Sequence, residues 1–119
     1  MMDIIEIADD DEMYRRFSEN FLKDNGKISS AAFQNTSDTD EMSSDLAILT
    51  TPHETALNNP NFGVASFYAG GARELDQKVF HNPVEDNPAH STIKGRKPPR
   101  IRKKFAKISN PILFPNRTI

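Results

Sequence analysis

Cysteine is absent from the 119 residues, which excludes a disulfide framework, a thiol nucleophile and thiolate metal sites within the chain. Tryptophan is absent too, so eight phenylalanines supply most of the aromatic bulk. No apolar run approaches the length of a membrane span. The opening residues MMDIIEIADDDE are acidic, and their apolar run is too short for a signal peptide. The expected setting is therefore cytoplasmic, with no membrane partner. In that setting the triplets Asn35-Thr36-Ser37 and Asn116-Arg117-Thr118 carry no glycosylation meaning.

Acidic residues are missing after Asp86. All 17 of them lie in 1–86 beside six basic ones, a net −11, whereas 87–119 holds nine basic residues and a net +9. The overall charge of −2 hides this division, and such asymmetry points to an anionic partner. Its densest part is KGRKPPRIRKKFAK, residues 94–107, where eight of fourteen residues are Lys or Arg.

Phe, Leu, Ile and Val make up 27 of the 119 residues, just above the roughly 20% associated with disorder. The length fits one domain with a thin core. The expected fold is α+β: a short mixed or antiparallel sheet with an amphipathic helix near each end. Residues 1–9 form an arm, 10–93 an acidic body, and 94–119 a basic helix with an apolar tail.

Several stretches carry local signals. The acids at 9–12 precede Met13, Tyr14, Phe17 and Phe21, whose spacing predicts a helix over 10–23. Lys27 to Gln34 reads as a strand, 35–44 as a loop, and 45–50 as strand or helix. Thr51-Pro52-His53-Glu54 is a helix start, giving a short helix over 52–58. Phe62 to Tyr68 is the clearest buried strand. A short helix over 71–77 and strands at 79–80 and 90–93 follow. Beyond the flexible approach 94–97, Ile101, Phe105 and Ile108 recur at i, i+4 and i+7, so a basic helix over 99–109 should dock one stripe. The tail 112–114 is extended, either docked in cis, docked on another chain, or frayed.

The candidate chemistry is sparse. Arg100, Arg102, Lys103, Lys104 and Lys107 form the candidate binding face, for nucleic-acid backbone or an acidic protein surface. Only Phe105 interleaves with these cations, and its spacing marks it as packing, so base stacking is not expected. The plain alternative is a solvated charged surface. His53, His81 and His90 lack the spacing of a helical metal site, so neither a metal nor a cofactor is expected. His81 and His90 flank two Asn-Pro turns. With Lys94 and Arg96 they would suit metal-free phosphodiester cleavage, one as base and one as acid. Ser43-Ser44-Asp45 offers hydroxyls without a positioned base or a nucleophile elbow.

The succession Tyr14-Arg15-Arg16, Ile28-Ser29-Ser30-Ala31-Ala32-Phe33, Asp45-Leu46-Ala47, Thr51-Pro52 and Asn87-Pro88-Ala89-His90, followed by a basic segment, resembles a family of small bacterial proteins without an assigned activity. The resemblance implies a compact bacterial cytosolic domain and carries over no catalytic residue. Two readings stand: a small non-enzymatic interaction protein acting through the basic helix, and a small ribonuclease-like toxin using His81 and His90. The oligomeric state is not legible.

Overall fold

A computed structural model describes residues 3–116. Arg117 and Thr118, and with them part of the second triplet and one C-terminal cation, lie outside the described residues.

The α+β expectation with a helix near each end is corrected. Among the described residues the fold is mainly one six-stranded antiparallel sheet with three short α-helices. The strands are β1 (Glu12–Ser18), β2 (Glu41–Leu46), β3 (Phe62–Tyr68), β4 (Lys78–His81), β5 (His90–Lys94) and β6 (Asn110–Leu113). Their order across the sheet is β4-β5-β2-β1-β3-β6. The helices are α1 (Pro52–Thr55), α2 (Ala69–Arg73) and α3 (Pro99–Ile108).

The largest difference lies in the stretch expected to be an N-terminal helix. Residues 12–18 form β1, paired with β3 from Glu12↔Tyr68 to Ser18↔Phe62. Met13 and Phe17 are both buried, and a four-residue spacing puts two side chains on one face of either a helix or a strand. Alternation was masked because Arg15, between them on the same face, is a cation. The acids at 9–12 do not cap a helix. Asp11 instead closes a turn by accepting from the Ala8 amide at 2.8 Å.

Residues 27–34 are not a strand. After a single bridge between Leu22 and Ile28, they run into a 3₁₀ turn at Ser30–Ala32, capped by the Ser29 hydroxyl. The loop expected over 35–44 ends at Glu41, where β2 begins. Thr51 caps α1 by accepting from the Glu54 amide at 3.1 Å. This helix stops at Thr55, short of 58, because Leu57 and Asn58 take left-handed backbone conformations. The 71–77 helix starts earlier and is shorter, as α2.

Alternation along the paired strands builds the core on one sheet face. Met13, Phe17, Met42, Leu46, Phe67 and Ile93 are fully or almost fully buried there. α3 lies over them. Phe105 stacks on Phe33 with centroids 5.6 Å apart and meets Phe67 edge-on at 5.7 Å. β5 and β6 run in the same direction yet stand four positions apart, so their connection must traverse the sheet. Four strand spacings amount to about 19 Å and ten helical residues to about 15 Å. α3 is therefore the crossing element; of the 112–114 tail, Ile112 and Leu113 belong to β6, which pairs with β3, whereas Phe114 lies beyond it and is exposed. The connection from β2 to β3 carries α1 over the opposite face, where the Thr55 hydroxyl donates to Asp45 at 2.8 Å.

The arm is tied down as well. The Ile5 amide donates to His81 Nδ1, and Arg73 donates to the Ile7 and Val79 carbonyls and pairs with Asp9 at 2.7 Å. No helix among the described residues is long and apolar enough to cross a membrane.

Candidate functional site

The basic helix presents its charge outward. Ile101 and Phe105 are buried, while Arg100, Lys103, Lys104 and Lys107 are exposed. These four fall at i, i+3, i+4 and i+7, a single stripe roughly opposite the buried one. None of them pairs with a carboxylate among the described residues, where Arg73–Asp9 is the ion pair formed. Like charges one turn apart destabilise a helix by about 0.2–0.5 kcal/mol per pair. Packing of Phe105 and Ile101 therefore holds together a helix that its own surface charges oppose. Arg102 lies at the margin: it is half-buried, and its Nε is buried without a partner.

The approach to the helix is not loose. Lys97 is 9% exposed, and its ammonium donates to Asn35 Oδ1 at 2.6 Å and to the Ile93 and Gly95 carbonyls at 3.0 Å. Burial lowers its pKa from 10.5 to about 8; the neighbouring Arg15 lowers it further and Asp40 partly offsets both. Arg15 enters the same region from β1. The β1–β2 ladder stops at Tyr14↔Asp45, and beyond it the guanidinium donates to the Ala32 and Ser43 carbonyls at 3.1 and 2.8 Å. Burial, with Arg16 adding to it, lowers the Arg15 pKa to about 10. Segment 32–35 is thus clamped by two cations, Lys97 buried and Arg15 half-buried, that bind oxygens of neutral groups.

The two histidines do not converge. Register places His81 opposite Ser91, so His81 and His90 occupy opposite faces of the sheet. His81 is buried, with Nδ1 accepting from the Ile5 amide and Nε2 donating to the Pro88 carbonyl at 2.7 Å. Neither nitrogen is free to exchange a proton with a substrate. Lys94 is exposed opposite Glu41 and Lys78, and Arg96 is exposed beyond the end of β5. The arrangement expected for phosphodiester cleavage is not assembled.

His90 has a partner that the sequence did not reveal. On the face away from α3, a cleft of about 790 Å³ is lined by Tyr14, Arg16, Ser43, Asp45, Glu54 and His90, among others. There His90 Nε2 stands 3.3 Å from the Ser43 hydroxyl, and its Nδ1 stands 2.9 Å from the Asn82 carbonyl. Asp45 is held by Thr55 and by Asn87 Nδ2 at 2.8 and 2.9 Å. The Tyr14 pKa is raised, chiefly by burial and then by Glu12. No cluster of three or more metal-ligating side chains occurs among the described residues.

The chain matches no protein-family model, and no curated protein and no solved structure gives a significant match to it. The functional reading therefore rests on geometry and charge alone.

Proposed function

We propose that this is a small interaction protein that uses α3 to bind an anionic partner, a nucleic-acid backbone or an acidic protein surface. What carries the reading is the outward stripe Arg100, Lys103, Lys104 and Lys107, unpaired among the described residues and fixed by the buried Ile101 and Phe105. Clustered cations gain affinity for a polyanion by releasing its condensed counterions, so binding should fall steeply with salt. Phe105 is fully buried and stacked on Phe33, leaving no aromatic in the stripe for bases. Contacts to a nucleic acid would then go to phosphates and be largely independent of sequence.

The test is titration of the purified protein with labelled single-stranded and duplex oligonucleotides and with polyglutamate, at low and moderate salt. Binding to one of these, weakened at least tenfold by the double variant Lys103→Glu/Lys104→Glu, is the expected result. Equal binding by the variant, or none by the wild type in any arm, overturns the reading.

A further inference from the structure

The polar cleft on the opposite sheet face goes beyond the binding reading and is independent of α3. We infer that Ser43 and His90 form a nucleophile–base pair for acyl transfer, acting on a small uncharged or cationic carboxylic ester in that cleft.

The hydrogen-bond pattern supplies the roles. A carbonyl oxygen only accepts, so the contact from His90 Nδ1 to the Asn82 carbonyl at 2.9 Å requires the proton on Nδ1. Nε2 is then the acceptor facing the Ser43 hydroxyl at 3.3 Å, the tautomer a general base needs. That separation is loose, as such pairs often are before substrate binds. The carbonyl itself is held in place. Asn82 donates its amide to the His90 carbonyl at 3.1 Å, and its side-chain oxygen accepts from Thr92 at 2.9 Å. Asp45 lies directly across from His90 in the β2–β5 register. Ser43 is exposed to the cleft, so its oxygen can reach a bound carbonyl.

The step balances without a metal or redox partner. Ser43 Oγ bonds to the ester carbonyl carbon as its proton passes to His90 Nε2. Collapse of the tetrahedral adduct breaks the bond to the alcohol oxygen, which takes that proton and leaves. Water then attacks the acyl carbon, gives a proton to Nε2, and expels Ser43 Oγ, which is reprotonated. The sum is ester plus water to acid plus alcohol. Arg16 lines the cleft; its guanidinium donates to the Thr55 carbonyl at 3.3 Å and lies over the Phe62 ring, and its remaining N–H groups are the donors for the developing oxyanion. Asp45, Glu54 and Asp86 line it as well, which disfavours an anionic ester and separates this substrate class from the partner of α3.

The test uses the intact chain, with p-nitrophenyl acetate as substrate and a fluorophosphonate as covalent probe. Labelling at Ser43, with hydrolysis reduced on the order of 10²-fold in both Ser43→Ala and His90→Gln, is expected. Thermal melting would confirm that Ser43→Ala, at an exposed position, remains folded. Absence of labelling at Ser43, or hydrolysis unchanged in Ser43→Ala, overturns the inference. Because the chain has no cysteine, Ser43→Cys supplies one thiol for a second measurement. Its alkylation by iodoacetamide at neutral pH should slow about tenfold when His90→Gln is added; an unchanged rate shows that His90 does not act on position 43.

Discussion

The ammonium of Lys97 lies 2.6 Å from the side-chain oxygen of Asn35, sixty-two residues earlier in the chain. This contact joins the start of α3 to the segment that also accepts from Arg15. A buried and a half-buried cation therefore share one neighbourhood, and the Arg15 charge makes that of Lys97 harder to keep.

The pH dependence follows from that arrangement. Lys97 titrates at about 8 in the fold against an ordinary 10.5. Below about pH 8 folded and unfolded chains both carry the proton, and the cost of burying the charge is present in full. Between 8 and 10.5 the folded chain releases the proton while the unfolded chain keeps it, so this group makes stability rise with pH. The slope should be on the order of 1 kcal/mol per pH unit within the window. Urea midpoints at about pH 7.5 and about pH 10 should show this gain in the wild type and its loss in Lys97→Met.

Removing the ring that seats the basic helix should be far more damaging. Phe105 is fully buried between Phe33 and Phe67, and Phe105→Ala should cost about 3–5 kcal/mol. Equilibrium denaturation measures the loss. A cost below about 1 kcal/mol would mean that α3 is not seated as described.

Gly63 is a site of close approach between strands. A methyl group there would press on the Phe17 ring and lie 2.7 Å from the Leu113 carbonyl. Gly63→Ala should destabilise by about 1–3 kcal/mol. Amide exchange should rise first in β6, which that carbonyl belongs to.

Charge reversal at a single α3 position should separate stability from binding. Lys103→Glu sets a carboxylate one turn before Lys107 and one turn after Arg100, and each favourable pair is worth about 0.2–0.5 kcal/mol. The melting temperature should hold or rise slightly while polyanion affinity falls. A parallel drop in both would place Lys103 in the packing instead of on a binding face.

How much was legible in the sequence varies by element, for physical reasons. β3 was readable because FGVASFY is small or apolar throughout and buried on both faces. β1 was misread because its inward alternation passes through Arg15, whose partners are carbonyls of residues 32, 34 and 43. The 3₁₀ turn within 27–34 has a local cap in Ser29, but the carbonyls of residues 32 and 34 are taken by the distant Arg15. β6 carries Pro111, which an edge strand tolerates but which argues against a strand when read alone. Of the seam expected at Ile101, Phe105 and Ile108, the first two are buried and Ile108 is exposed; that pair and the exposed cations were local and readable. Lys97 falls in the stretch expected to be a flexible approach to the helix, because burial of a lysine has no signature in spacing. Likewise the imidazole beside Ser43 comes from a residue forty-seven positions away, brought near only by the β2–β5 register.

The crossing of the sheet by α3 has a thermodynamic consequence for association. The helix is anchored at both ends, by Lys97 before it and by β6 after it, so its cations are held in place before any partner arrives. Binding through that face should involve little loss of backbone entropy, unlike a disordered basic tail that must fold on contact. Encounter should then be governed by electrostatic steering, with an on-rate set by ionic strength and a heat-capacity change close to zero.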